Sequence, residues 1–120
     1  MKPNIRACVA YTAGRLISQK TSSSVYDYSQ SKHISIDGQI QSDNIDIYDY
    51  ERSCHFGGNG DGTKYSLYDY GDSHHVELTI NGNNFEGYDY GSSYHFSGDV
   101  SSNSISLYDY DKSAYFNYDL

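Results

Sequence analysis

The tripeptide Tyr-Asp-Tyr occurs five times in this chain of 120 residues, and its spacing is almost constant. The copies begin at Tyr26, Tyr48, Tyr68, Tyr88 and Tyr108. They are 22, 20, 20 and 20 residues apart. A fixed period of this size is typical of a repeat architecture, in which every unit supplies the same small set of secondary structures. The repeat therefore predicts the fold of the chain more directly than it predicts a biochemical function.

Each unit continues with a serine, a histidine and an apolar residue at fixed distances from the first tyrosine. The serines are Ser31, Ser53, Ser73, Ser93 and Ser113. The histidines are His33, His55, His75 and His95, and Tyr115 takes that place in the fifth unit. The apolar residues are Ile34, Phe56, Val76, Phe96 and Phe116. A shared backbone explains this regularity more simply than five copies of a catalytic site.

The residues around each Tyr-Asp-Tyr alternate between apolar and polar, which predicts two β-strands per unit. One strand runs into the tripeptide, and the other follows the serine. Parity places residues such as Ile105 and Leu107 on one face and both tyrosines on the other, with the histidine near the tyrosines. The aspartate has the apolar parity but ends its strand. We expect its carboxylate to accept hydrogen bonds from turn amides.

Residues 1–20 predict a separate element, an N-terminal amphipathic α-helix, ahead of a five-repeat β domain over residues 21–120. Apolar residues from Ile5 to Leu16 recur at helical spacing, opposite Arg6 and Arg15, and Pro3 is a start signal. This segment has four basic and no acidic residues, whereas the rest of the chain has all 16 acidic residues and four basic ones. We expect the basic helix to dock on the acidic body.

Two mainly β architectures fit the five units. In a β-solenoid of about five coils, like residues stack ~4.8 Å apart and the helix caps one end of the rod. In a single-layer antiparallel meander each unit is a hairpin and like residues lie ~9.6 Å apart. The pair Asn81-Gly82 favours a hairpin. The solenoid is the first expectation, because one helix cannot cover one face of a flat ten-strand sheet.

The unit Tyr-Asp-Tyr-x-x-Ser-x-His, as in residues 68–75 and 88–95, resembles that of small, uncharacterised bacterial tandem-repeat proteins. The resemblance covers residues 25–120. It implies a repeat fold and carries no activity, cofactor or partner with it.

The face that carries the tyrosines and histidines is the candidate binding surface. Its central members are Tyr48, Tyr50, Tyr68, Tyr70, Tyr88, Tyr90, His55, His75 and His95. A contiguous aromatic patch exceeds what solubility needs and is typical of a contact with a partner. We therefore expect a non-enzymatic module that binds a protein partner or self-associates.

Three alternatives remain at this point. Aspartates between aromatic rings suit the hydroxyls and faces of sugars, so a cell-wall or surface glycan is the main one. Histidines and aspartates also suit a divalent metal, but repeated residues spread along a line instead of converging, and no ligand or cofactor is assigned. The acid content allows a DNA mimic.

Several other classes are disfavoured by the sequence. The net charge of −8 repels phosphate backbones, which argues against nucleic-acid binding. A serine and a histidine two residues apart imply no third catalytic group and no oxyanion donor, so no catalytic residue is expected. Cys8 and Cys54 have neither disulfide-framework nor zinc spacing. The absence of a signal-peptide core or a membrane span predicts a cytoplasmic protein, with non-classical export left open.

Overall fold

The chain forms one helix and ten strands, and each repeat unit is a hairpin. The computed structural model describes all residues, 1–120. Helix α1 spans Pro3–Ser18 and starts with the predicted proline. The strands are β1 (Ser24–Asp27), β2 (Lys32–Ile40), β3 (Asn44–Asp49), β4 (Cys54–Gly60), β5 (Lys64–Asp69), β6 (His74–Asn81), β7 (Asn84–Asp89), β8 (Tyr94–Ser101), β9 (Ser104–Asp109) and β10 (Ala114–Asp119). No helix has the length and apolar character needed to cross a membrane.

The ten strands close into an antiparallel barrel. Each strand pairs with its neighbours in the chain, and β1 pairs with β10, where Asp27 lies opposite Tyr118. The expected solenoid is therefore wrong. The antiparallel meander of hairpins is confirmed as the strand order, but the sheet is not open. Closure leaves no strand edge with unpaired backbone groups.

Helix α1 lies inside the barrel, not on one end of it. Residues 5–14 are all buried, and even Arg6 is only 4% exposed. The helix contacts strands from different parts of the wall, namely β1, β2, β3, β6, β8 and β9. The expected amphipathic cap is therefore wrong, because a helix buried on every side has no solvent face. The solenoid and its cap were expected because one helix cannot cover a flat ten-strand sheet, whereas a curled sheet wraps its whole apolar face around one helix.

The predicted division of the strands into two faces is confirmed. Ile45, Ile47, Ile105 and Leu107 point inward and are at most 1% exposed. They join helix residues such as Val9 in one hydrophobic core. The tyrosines of the repeat lie on the outer wall. Period-2 alternation thus separates core from surface all the way around the barrel.

Two glycines in the wall are covered by phenylalanine rings of the facing strand. In the β7–β8 register, Phe85 lies opposite Gly98, and Gly87 lies opposite Phe96. A Cβ on Gly98 would lie 2.2 Å from the Ser106 carbonyl oxygen and 2.5 Å from the Phe85 ring. No side chain fits there without displacing the backbone. Such glycine and aromatic pairs are a known means of curving a sheet without leaving a void.

Candidate functional site

Each hairpin presents the same cluster of three aromatic rings on the outer wall. The ring of the first tyrosine lies edge-to-face against the second tyrosine, with centroids 4.8–4.9 Å apart, and against the residue at the histidine position, at 4.8 Å. The clusters are Tyr26/Tyr28/His33, Tyr48/Tyr50/His55, Tyr68/Tyr70/His75, Tyr88/Tyr90/His95 and Tyr108/Tyr110/Tyr115. Edge-to-face packing is the preferred arrangement of aromatic pairs and holds all three rings in place.

The two tyrosines of each cluster differ in exposure. Among the predicted binding residues, Tyr48, Tyr68 and Tyr88 are half-buried and support the other rings. The second tyrosines are 58% exposed at Tyr50, 61% at Tyr70 and 48% at Tyr90. The three predicted histidines, His55, His75 and His95, are also exposed. The predicted set therefore consists of supporting rings and accessible rings.

Backbone hydrogen bonds align the clusters of the second to fifth hairpins into a continuous row. The Tyr70 amide donates to the His55 carbonyl oxygen at 3.0 Å, and the Tyr90 amide donates to that of His75 at 3.0 Å. The histidine of one cluster therefore lies opposite the second tyrosine of the next. We call this row the aromatic belt. Its members are Tyr48, Tyr50, His55, Tyr68, Tyr70, His75, Tyr88, Tyr90, His95, Tyr108, Tyr110 and Tyr115.

The cluster of the first hairpin is displaced from the belt. The Tyr50 amide bonds to the Ser35 carbonyl oxygen, two residues beyond the position that the other units use. A similar step occurs at closure, where the Tyr28 amide bonds to Asn117. The two additional residues of the 22-residue first period accommodate the step beside β3 by lengthening β2. The four repeat histidines do not stack on each other, as they would in a solenoid; each packs on the first tyrosine of its own unit.

The aspartate of each Tyr-Asp-Tyr points the other way, into the barrel end. All five are at most 2% exposed. As expected, their carboxylates accept hydrogen bonds from turn amides, for example from Glu51 to Asp49 at 3.0 Å and from Gly91 to Asp89 at 3.0 Å. The repeated serines adopt left-handed backbone angles, with φ from 52° to 63°. Aspartate and serine are thus the structural residues of one repeated turn.

The five buried carboxylates surround the N-terminal end of α1. Arg52 bonds to Asp49 at 2.6 Å and to Asp69 at 2.8 Å. The Arg6 guanidinium and the Met1 ammonium each lie 3.1 Å from Asp109. The positive end of the helix dipole faces the same ring. Arg6 and the Met1 ammonium at the start of the chain thus share the neutralisation of the acidic turns with Arg52 of the repeat.

Neither thiol shows the features of a reactive group. Cys8 is completely buried in α1, and burial raises the pKa of its thiol far above the ordinary value, with a further increase from the Asp49 charge. Burial likewise raises the pKa of Cys54. A low pKa is what activates a cysteine nucleophile. No three His, Cys, Asp or Glu side chains converge closely enough to hold a metal ion.

An open cleft of about 570 Å³ runs along the outer wall beside the belt. It is lined by Tyr88, His95 and Tyr110 of the belt together with Tyr94, Glu77 and Glu86. A second cleft of about 460 Å³ continues it and shares Thr79, Glu86 and Ser97 with it. The negative charge of Glu77 raises the pKa of the nearby Tyr90.

Part of this surface was not predicted from the sequence. Tyr110 and Tyr28 are 50% and 54% exposed, and the repeat itself was the signal that would have added them to the set. Tyr94, which is 47% exposed, has no counterpart in the other units and left no such signal. Glu77 and Glu86 are assigned to the cleft only by the pairing of β6 with β7 and of β7 with β8.

Comparisons with protein-family models, with curated proteins and with solved structures find no match to this chain, so the resemblance based on the repeat unit stays a prediction.

Proposed function

We propose that this protein is a non-enzymatic interaction module that binds a protein partner through the exposed rings of the aromatic belt. The observation that carries the proposal is the exposure of the second tyrosines, 48–61%, on rings that are already held by a supporting tyrosine. Rings that are ordered before binding lose little conformational freedom on contact. Exposed tyrosines of this kind are enriched among the residues that dominate protein interfaces.

The interior supports an outer-wall function. Helix α1 fills the barrel lumen, and the buried aspartates are engaged by turn amides and basic groups. The serines of the repeat are turn residues and the histidines pack on tyrosines. The repeated polar residues thus make structural contacts within the barrel. The exposed rings are the repeated residues that remain available to contact a partner.

The experiment compares two substitutions of exposed tyrosines. Tyr70→Ser combined with Tyr90→Ser removes two rings from the belt, and Tyr28→Ser removes an equally exposed ring outside it. Proteins captured from a lysate by the immobilised chain are quantified by mass spectrometry, and self-association is measured by sedimentation. We expect the double variant to lose a defined set of captured proteins, or its self-association, while Tyr28→Ser keeps it. Retention of the same set by both variants would place the binding site elsewhere.

Glycan binding is a second candidate, and one feature favours it. Asn84 and Asp99 face each other across β7 and β8 in the second cleft, which Tyr115 also lines. An amide, a carboxylate and an exposed ring are a combination that suits sugar hydroxyls and a sugar face. A glycan array decides between the candidates. Binding to one glycan class that is lost in Asp99→Asn, with the fold intact, would favour the glycan over the protein partner.

A further inference from the structure

The outer cleft between β6 and β9 adjoins the belt and is lined partly by exposed aromatic residues. Tyr94 and Tyr110 are 47% and 50% exposed there, and His95 is exposed between them. The two joined clefts have volumes of about 570 Å³ and 460 Å³. The two clefts share lining residues and therefore form one continuous groove, which has aromatic residues along it.

The charges along this groove are all negative and have no cationic partner. From Tyr65 to Asp111 the chain contains eight acidic residues and not one lysine or arginine. Five of these acids belong to the turns at the barrel end. The other three, Glu77, Glu86 and Asp99, are exposed on the strands that form the groove, and none of them is in an ion pair.

Rings and carboxylates alternate across the groove because of the strand register. Glu77 lies opposite Tyr88, and Tyr88 lies opposite His95. Four residues further along the same pair of strands, Asp99 lies opposite Asn84. A cation in the groove can thus contact a ring face and a carboxylate at the same time. Such a site favours a guanidinium, which is planar, stacks on aromatic rings and binds carboxylates with two donors.

The interior of this protein contains the same combination once. The Arg6 guanidinium lies 3.5 Å from the centre of the Phe116 ring and donates to Asp109 at 3.1 Å. Ring and carboxylate there belong to neighbouring strands of the wall, as they do in the groove. The barrel wall therefore holds an arginine on its inner side by contacts that its outer side also offers.

We infer that the groove between β6 and β9 binds an arginine-rich polypeptide segment, whose guanidinium groups stack on Tyr94 and Tyr110 and pair with Glu77, Glu86 and Asp99. This inference rests on the proposed function and specifies the chemistry of the partner. The three exposed carboxylates favour a cationic peptide over a neutral glycan, because only a cation gains electrostatic attraction from them. They also exclude phosphate-bearing ligands, which the groove repels.

The test uses a nona-arginine peptide and calorimetric titration of the full chain. We expect Glu77→Gln, Glu86→Gln and Asp99→Asn together to weaken binding about tenfold, since each exposed pair contributes up to ~1 kcal/mol. The control is Asp37→Asn, Asp43→Asn and Asp46→Asn, which removes the same charge from exposed positions in the first two units. It should retain the affinity of the unchanged protein within about twofold. Thermal midpoints verify that both triple variants are folded.

The ring contribution is tested at constant charge. Tyr94→Ser with Tyr110→Ser should weaken nona-arginine binding about fivefold, and nona-lysine should bind the unchanged protein less tightly than nona-arginine. Equal losses in the two triple variants would show attraction by net charge alone and would overturn the inference. Undetectable binding of nona-arginine would also overturn it. If Tyr70→Ser with Tyr90→Ser still abolished partner capture in that case, the proposed function would stand while the arginine-rich partner would not.

Discussion

The inner and outer sides of the barrel wall at the Tyr-Asp-Tyr end are made from the same tripeptide but have opposite environments. On the inner side, five aspartates are at most 2% exposed. Three of them pair with Arg6, Arg52 or the Met1 ammonium, and the other two, Asp27 and Asp89, accept hydrogen bonds from turn amides. On the outer side, the second tyrosines are about half exposed. Successive side chains of a strand point to opposite faces of the sheet. The aspartate of the motif can therefore stabilise the interior while its tyrosines stay accessible on the outer wall. Changes on the inner side should therefore cost much more than changes on the outer side.

Removal of the helix should have the largest effect. Deleting residues 1–20 empties the lumen of its apolar filling and removes two of the cations that face the aspartate ring, and both losses are strongly destabilising. We expect loss of the folded barrel and aggregation, seen by circular dichroism and size exclusion. A synthetic peptide of residues 1–20 should restore the fold. A truncated protein that stays monomeric with an unchanged thermal midpoint would contradict a structural role for the lumen helix.

Substitution of Arg52 should have the next largest effect. Arg52→Met leaves Asp49 and Asp69 buried without their cation and should lower the free energy of unfolding by about 3 kcal/mol. The control on the outer side is Lys32→Met, which breaks the exposed pair with Glu51 and should cost less than about 1 kcal/mol. Urea unfolding of both variants measures the difference. Equal costs would mean that the aspartate ring does not depend on the bridging arginine.

On the outer side, substitution of a supporting ring should cost more stability than substitution of an accessible ring. Tyr68 contacts both Tyr70 and His75, so Tyr68→Ser removes two aromatic pairs and should cost about 2 kcal/mol. Tyr70→Ser removes one pair from a ring that is 61% exposed and should cost about half as much. Chemical denaturation with matched circular dichroism spectra checks the order. A larger loss in Tyr70→Ser would reverse the assignment of the two rings.

The smallest effect should appear at alkaline pH. Burial of Tyr118 raises its pKa above the ordinary value near ~10. In this pH range the folded state keeps a proton that the unfolded state releases. The contribution of the protonated Tyr118 to the free energy of unfolding is therefore fully present below about pH 10, and it is lost as the pH rises through the pKa of the folded state. Tyr118→Phe should reduce the loss of stability between about pH 9 and about pH 11, and it should cost about 1 kcal/mol at neutral pH because Arg6 loses an acceptor.

The control for the alkaline experiment is Tyr115→Phe, which removes a hydroxyl from a ring that is 68% exposed. Its denaturant midpoints should follow those of the unchanged protein at every pH. Tyr11 and Tyr65, whose pKa values are also raised by burial, should maintain part of the alkaline loss in Tyr118→Phe. An identical pH profile in Tyr118→Phe and Tyr115→Phe would show that the Tyr118 hydroxyl does not contribute.

The surface residues were predictable to different degrees. Tyr50, Tyr70 and Tyr90 were correctly assigned to the outer face because strand parity is a local property. Their separation from the half-buried Tyr48, Tyr68 and Tyr88 was not predicted, since exposure depends on which rings pack from the facing strand. The groove residues Glu77 and Glu86 were not predicted for the same reason. They lie near Tyr88 and Tyr94 only because β6, β7 and β8 are paired in the folded barrel.

The sequence by itself determined the two strands of each unit, the inward and outward faces, the turn aspartates and the existence of the N-terminal helix, but it left the hairpin as the second of two arrangements. These features depend on residues a few positions apart, and a 20-residue period records them five times. Only the tertiary structure decided that the sheet closes and that the helix lies within it. Closure pairs β1 with β10, and the helix depends on contacts such as Arg6 with Asp109, which are 103 residues apart. Such contacts arise from the summed curvature and register of ten strands, and no local pattern encodes that sum.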